Sequence, residues 1–315
     1  MYKIIFAALI CCGTTIQTLQ AQDVIPLYEQ DKVPNAIHSD ILMDTLHGRS
    51  GQTGNDTTVI RPRTIMPTLT VFLPHKKTSD IGIIVCSGGS YRNVADPQEG
   101  IPAAKKLADA GITVFLLHYR VPRADLMQNK SIVPLQDLQT AIRFARENAK
   151  AYKLNPDNIG IMGFSAGGHL VSTAGTHFST NYIDNPNGVN LRPDFMVLVY
   201  PVISMTDSLT HTLSRKNLIG PDIIESQVNE FSNEKQVNSQ TPPTFIVHAM
   251  DDSTVKIGNS LAFVAALEQQ QVPVRFFVYT NGGHGFGINN ETARQQWIDP
   301  CIEWIRDEKW KQTKK

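Results

Sequence analysis

The sequence predicts an α/β fold in which a mainly parallel sheet is covered by helices on both faces. From residue 64 onward, strand-length apolar runs alternate with stretches of helical character, as in repeated βαβ units. Helical spacing is clearest where Leu135, Leu138 and Ile142 recur on one face. The length of 315 residues suits one such domain with an insertion.

Strands and helices are predicted to alternate along the chain. The predicted strands cover residues 67–73, 81–86, 112–118, 158–163, 194–200, 243–249 and 273–279. The predicted helices fall near residues 98–110, 134–152, 166–177, 256–270 and 291–309. A polar segment at about residues 204–240 interrupts the alternation and contains a helix-like piece around residues 221–230.

The amino terminus predicts a secretory signal peptide over residues 1–21. It begins with Lys3, continues with an apolar stretch over residues 4–13, and ends in a polar stretch with Ala21 at a cleavage position. The apolar stretch is too short to span a bilayer. We therefore expect an exported protein, periplasmic or secreted, with no transmembrane segment. The alternative is a lipoprotein anchored through the Cys11–Cys12 pair.

Residues 22–58 are rich in Asn, Asp, Thr and Gly, and they predict an extended lead-in to an α/β domain over residues 59–315. Basic and acidic residues number 29 each, and no basic run occurs before the last few residues, so nucleic acid is not an expected partner. Cys86 and Cys301 could form a disulfide in an exported protein. Their predicted places in a buried strand and in the last helix favour two separate thiols instead.

Residues 163–167, Gly-Phe-Ser-Ala-Gly, are the most informative motif. The residues before them predict a buried strand and those after them a helix, which is the setting of a nucleophile elbow. In that turn a strained serine projects its hydroxyl outward, and flanking glycines let the strand and the helix pass closely. Ser165 is therefore the candidate nucleophile.

A candidate acid and a candidate base follow Ser165 in the chain. Asp252 follows the sixth predicted strand, with Asp251 beside it as the alternative acid. His284 lies in the glycine-rich residues 282–287, here called the histidine loop, which follow the last predicted strand. The order Ser165, Asp252, His284 predicts serine catalysis, in which the imidazole takes the hydroxyl proton and the carboxylate steadies the imidazole.

A candidate site for the oxyanion completes the set. The strand at 81–86 leads into Gly88 and Gly89, whose backbone N–H groups can face a developing negative charge. The N–H of Ala166, directly after the candidate nucleophile, offers a further donor. We call residues 87–91 the oxyanion loop. The histidine spacing does not suggest a metal site, and neither a metal nor a cofactor is expected.

Over roughly residues 60–309 the chain resembles α/β-hydrolases of the secreted acetyl-esterase and feruloyl-esterase-like group. Its oxyanion loop reads Ser-Gly-Gly-Ser-Tyr, where that group usually has Pro-Gly-Gly-Gly-Tyr or His-Gly-Gly-Gly. In that group the acid lies three residues before a valine, which favours Asp252, three before Val255, over Asp251. The other matching segments are residues 163–169, 200–203, 214–220 and 282–286.

The resemblance implies an α/β-hydrolase fold and a carboxylesterase that removes acetyl or other short acyl groups from carbohydrate esters such as those of xylan. The expected partner is a small-molecule or polysaccharide ester. In such a fold an insertion at 204–240 is expected to form a small cap over the site, and the alternative is a solvated surface excursion. Tyr91 is a candidate for the wall of the substrate pocket.

Two other functions remain open from the sequence. One is an amidase or peptidase of the same fold, although related peptidases carry a large additional domain for which this chain has no room. The other is a non-catalytic binding protein that kept the fold. Such proteins commonly lack one catalytic residue, whereas all three candidates are present here.

Overall fold

The computed structural model describes residues 23–29, 32–37 and 66–307. The predicted signal peptide and most of the predicted lead-in lie outside the described residues. Among the helices that are described, none is both long enough and apolar enough to cross a membrane.

One sheet of eight strands forms the centre of the described chain, in the order β1-β2-β4-β3-β5-β6-β7-β8. Only β2 runs against its neighbours, and the pairs from β4 to β8 are all parallel. The predicted fold class, α/β with a mainly parallel sheet, is thereby confirmed. The strands are Val24–Pro26 (β1), Thr68–Phe72 (β2), Gly82–Cys86 (β3), Thr113–His118 (β4), Ile159–Phe164 (β5), Met196–Val199 (β6), Thr244–Ala249 (β7) and Val274–Tyr279 (β8).

Helices cover both faces of the sheet because the central strands are apolar on both sides, so each face must be shielded from water. Helices α1 and α7 pack in one apolar core, and α2, α3 and α6 pack in the other. The helices are Gly100–Asp109 (α1), Val133–Glu147 (α2), Ser165–Thr176 (α3), Thr212–Ile219 (α4), Glu225–Glu230 (α5), Gly258–Gln269 (α6) and Ile298–Arg306 (α7). Short 3-10 helices lie at Lys130–Ile132 and Asn233–Lys235.

The two cysteines lie in different cores. Cys86 ends β3 in the core that contains α2 and α3, whereas Cys301 lies on α7 in the other core. Both are buried free thiols. Their separation follows from the strand and helix positions that the sequence indicated.

The seven predicted strands occur within a few residues of their expected positions, as β2 to β8. Three elements differ from the predictions. β1 was expected only as extended chain, α4 was not predicted, and α7 begins at Ile298 rather than near residue 291. The late start of α7 has a tertiary cause, because the Trp297 amide donates to the Tyr279 hydroxyl and the Asn290 side chain organises the preceding turn.

The parallel strands determine where the candidate site residues meet. β3, β5, β7 and β8 all point the same way, so their carboxyl ends lie along one edge of the sheet. The segments after them carry Gly88, Ser165, Asp252 and His284 in turn. Ligands of open α/β sheets bind at this edge.

Candidate active site

Ser165 occupies a sharp turn between β5 and α3. Its φ of +50° lies in the left-handed region that non-glycine residues rarely adopt. Two glycines make the turn possible, because a Cβ at Gly163 would lie 2.2 Å from the Gly167 carbonyl oxygen and one at Gly167 would lie 2.3 Å from the Cys86 carbonyl oxygen. The motif therefore folds as the sequence predicts, with the serine at the tip of the turn.

A chain of hydrogen bonds connects the serine to the histidine and the carboxylate. His284 Nε2 lies 2.9 Å from Ser165 Oγ, and His284 Nδ1 lies 2.7 Å from Asp252 Oδ2. Because an ionised carboxylate can only accept, Nδ1 carries the proton and Nε2 is free to accept the serine hydroxyl. The three residues predicted from separate parts of the chain thus come into direct contact.

Asp252 and Asp251 have different surroundings. Asp252 is buried and, besides its contact with His284, accepts the Val255 amide at 2.8 Å. Asp251 is exposed and accepts the Gly283 amide at 2.8 Å, so it stabilises the histidine loop without touching the imidazole. The geometry therefore favours Asp252, as the spacing to Val255 did.

His248 is a site residue that the sequence reasoning missed. It lies on β7, is fully buried, and its Nε2 is 3.1 Å from Asp252 Oδ2 and 2.8 Å from the Val255 carbonyl oxygen. Burial by itself raises the pKa of Asp252, but hydrogen bonds from His248 and His284 and from the Val255 amide outweigh it and hold that pKa well below its usual range. The signal in the sequence was a histidine in a buried strand four residues before the acid.

The oxyanion loop differs in one respect from the prediction. The Gly88 amide, expected to face the oxyanion, donates instead to Glu99 Oε2 at 2.5 Å. Within the described part of the chain nothing accepts the Gly89 amide. Ala166 is the second residue of α3, and the first amides of a helix have no acceptor within it. Gly89 and Ala166 therefore remain as candidate donors, and Gly88 does not.

Tyr91 also departs from its predicted role. It is 2% exposed, and its hydroxyl lies 2.8 Å from Nδ1 of the buried His169. The Tyr91 ring packs edge-on against Tyr119. This side chain is part of the core beneath the oxyanion loop, so the expectation that it lines a substrate pocket is corrected.

The segment at 204–240 makes direct contacts with the site region. The Asn217 side-chain amide donates to the Ser90 carbonyl oxygen of the oxyanion loop at 2.8 Å. The Asn233 side-chain amide donates to Ser172 on α3 at 2.7 Å. Within the residues the structure describes, no group of three or more His, Cys, Asp or Glu side chains is arranged to hold a metal ion.

Comparison with known proteins adds three findings. A sequence model of the family described as BD-FAE matches residues 69–267. The chain is 33% identical over 240 residues to an acetylxylan esterase of Xylanibacter ruminicola, which covers 75% of this chain and 47% of that protein. It is likewise 33% identical over 236 residues to endo-1,4-beta-xylanase B of Butyrivibrio fibrisolvens, covering 74% of this chain and 36% of that one. The chain thus spans less than half the length of these two relatives.

The structure is also similar to a solved one. The acetyl ester-xyloside bifunctional hydrolase from Caldicellulosiruptor lactoaceticus superimposes with a TM-score of 0.71 at 32% identity. The likeness covers 90% of this chain and 96% of that one.

Proposed function

The chain belongs to the BD-FAE family of α/β-hydrolases, and from that premise we propose that it is a serine carboxylic-ester hydrolase acting through an acyl-enzyme. The observation that carries the proposal is the continuous contact from Ser165 through His284 to Asp252. Serine, base and orienting acid are the parts that acyl transfer by serine requires.

Acylation begins when the Ser165 hydroxyl oxygen attacks the ester carbonyl carbon. His284 Nε2 accepts the hydroxyl proton, and Asp252 stabilises the resulting imidazolium through Nδ1–H. The carbonyl oxygen becomes an oxyanion in the tetrahedral intermediate. When this collapses, the bond to the alcohol oxygen breaks, His284 returns the proton to that oxygen, and the acyl group remains on Ser165.

Deacylation repeats these steps with water. His284 takes a proton from water, which attacks the acyl-serine carbonyl carbon. The second tetrahedral intermediate expels the Ser165 oxygen, which regains its proton from His284, and the carboxylic acid leaves. The residues end in their starting protonation states, so no other reactant is needed.

The backbone amides of Gly89 and Ala166 stabilise the oxyanion in this proposal. Ala166 lies in the first turn of α3, where unpaired N–H groups and the helix dipole favour negative charge. One such donor is worth about a hundred- to a thousand-fold in rate in comparable sites.

For the substrate we propose an acetylated or otherwise short-acylated carbohydrate. This part depends on the names of the relatives, an acetylxylan esterase and an acetyl ester-xyloside hydrolase, and so on likeness rather than on a described pocket. Export through the predicted signal peptide would bring the protein to polysaccharide outside the cytoplasm. The segment at 204–240 acts as a cap in this proposal, supported by its contact with the oxyanion loop.

Release of 4-nitrophenol from 4-nitrophenyl acetate, and of acetate from acetylated xylan, tests the proposal. Wild type should hydrolyse both, and Ser165→Ala should lose at least about 10⁴-fold in kcat, because the nucleophile is removed. Ser79→Ala, at the opposite edge of the sheet, is the matched control and should keep wild-type activity.

Other outcomes count against the proposal. A folded wild-type protein without activity on any ester would favour the alternative of a non-catalytic binding protein. Faster cleavage of amides than of esters would favour the amidase or peptidase. Equal activity of Ser165→Ala and wild type would remove the serine mechanism altogether.

A further inference from the structure

Glu99 is a buried carboxylate beside the oxyanion loop that the steps above do not use. The residue is 7% exposed and lies just before α1. One oxygen accepts the Gly88 amide at 2.5 Å, and the other accepts the Tyr200 hydroxyl at 2.9 Å. Because Glu99 and Tyr200 are 101 residues apart, only the folded chain brings them together.

Tyr200 connects this carboxylate to the histidine loop. Its hydroxyl donates to Glu99 and accepts the Gly287 amide at 3.1 Å, and its ring centroid lies 4.8 Å from that of His284. Tyr200 is fully buried directly after β6, with a φ of +36°. Such a strained conformation persists where the surrounding structure requires it, often at functional sites.

Gly88 separates Glu99 from the nucleophile. A Cβ at Gly88 would lie 2.9 Å from Ser165 Cβ and 3.0 Å from Glu99 Oε2. Because the Gly88 amide is bound by the carboxylate, the backbone that leads into Gly89 cannot rotate freely. The Gly89 amide is the next donor along the chain and the one assigned to the oxyanion above.

Burying the carboxyl group of Glu99 costs free energy, and its hydrogen bonds offset part of that cost. Burial raises the pKa of Glu99, while the hydrogen bonds from the Gly88 amide and the Tyr200 hydroxyl oppose the rise. Hydrogen bonds to a charged acceptor are shorter and roughly twice as strong as neutral ones. Glu99 therefore holds the Gly88 peptide more firmly than a neutral side chain would.

We propose that Glu99 and Tyr200 act together as positioning residues that align the oxyanion loop with the histidine loop for catalysis. The inference rests on the proposed esterase function. Glu99 acts through Gly88, and Tyr200 acts through Gly287 and its ring contact with His284. Since alignment of these loops matters most in the transition state, its loss lowers kcat and leaves KM nearly unchanged.

Glu99→Gln and Tyr200→Phe test the proposal, because each nearly preserves side-chain volume. We expect kcat for 4-nitrophenyl acetate to fall about ten- to a hundred-fold in each, with KM within about two-fold of wild type. The inhibition constant of phenylboronic acid, which forms a tetrahedral anionic adduct with Ser165, should rise by a similar factor. The kcat of the double variant should fall about as far as that of the less active single variant, because both residues belong to one network.

Tyr28→Phe is the matched control. The Tyr28 hydroxyl also donates to a buried carboxylate, that of Asp137 at 3.1 Å, and this carboxylate lies on α2, outside the oxyanion loop and the histidine loop. Its kcat should stay within about two-fold of wild type. Circular dichroism and thermal midpoints establish that every variant is folded.

Wild-type kcat and boronate inhibition in the folded Glu99→Gln and Tyr200→Phe variants would overturn the proposal. A double variant whose fold-loss in kcat equals the product of the two single losses would also overturn it, because the two residues would then act separately. In either case a wild-type activity that Ser165→Ala abolishes would leave the esterase function standing. A folded but inactive wild type would overturn both.

Discussion

Asp252 is held by more hydrogen bonds than the orientation of one imidazole requires. One oxygen faces both His284 and His248, and the other accepts the amides of Thr254 and Val255. This surrounding keeps the carboxylate charged and fixes it in one rotamer. A fixed acceptor selects the imidazole tautomer in which Nε2 can take the serine proton.

Asp252→Asn should therefore lower kcat for ester hydrolysis by about 10⁴-fold, because an amide can present N–H groups where His284 Nδ1–H needs an acceptor. The adjacent Asp251→Asn is the control and should lose less than about ten-fold, since Asp251 contacts only backbone amides of the histidine loop. Steady-state kinetics of both variants measures the difference. A larger loss in Asp251→Asn would assign the acid to the other residue.

At the scale of elements, a buried ion pair fastens the described part of the lead-in to β4 and α2. Arg120, just after β4, pairs with Asp137 on α2 at 2.6 Å, and both side chains are at most 1% exposed. Arg120 Nη1 also donates to the Pro34 carbonyl oxygen at 2.8 Å, and the Tyr28 hydroxyl donates to Asp137 at 3.1 Å. The lead-in is thus joined to the domain by side-chain contacts as well as by β1.

Asp137→Asn should lower the free energy of unfolding by about 3–5 kcal/mol, because it leaves the Arg120 guanidinium buried without its counter-charge. Asp125→Asn removes an acid from the solvent-accessible pair with Arg123 and should cost less than about 1 kcal/mol. Urea unfolding of the two variants provides the comparison. Equal losses would mean that the buried pair does not anchor the lead-in.

At the scale of the whole molecule, buried ionisable groups make stability depend on pH. His169 is 1% exposed, with Nδ1 near the Tyr91 hydroxyl and Nε2 2.8 Å from the Phe231 carbonyl oxygen. Burial lowers its pKa to about 4. Between about pH 6.5 and 4 the unfolded chain holds a proton on this residue that the folded chain does not, so acidification favours unfolding there.

The full difference in pKa of His169 corresponds to roughly 3 kcal/mol of stability, present above pH 6.5 and lost as the pH falls toward 4. Between pH 7 and pH 4.5 the free energy of unfolding of His169→Gln should therefore fall by about 2 kcal/mol less than that of wild type. Urea unfolding at both pH values measures the difference. Exposed His75→Gln is the control and should follow wild type. Identical pH dependence in His169→Gln and wild type would contradict the assignment.

The sequence determined the order of elements and the three candidate catalytic residues. Apolar runs of strand length separated by helical periodicity are local signals, and β2 to β8 followed them closely. The same local signals made it possible to predict Ser165, Asp252 and His284 from the sequence. Each of them follows a strand directly or lies in the turn after it, and parallel strands bring such positions to one edge of the sheet. The elbow glycines added a purely steric constraint that could be read from five adjacent residues.

Only the tertiary structure decided what surrounds those residues. The binding of the Gly88 amide by Glu99, the burial of Tyr91 against His169, and the support of Asp252 by His248 are side-chain contacts. A side chain's direction depends on packing from several elements at once, and no periodicity in the chain encodes it. The late start of α7 has the same origin, because Trp297, directly before the helix, is bound by Tyr279 on β8 rather than by a local capping residue.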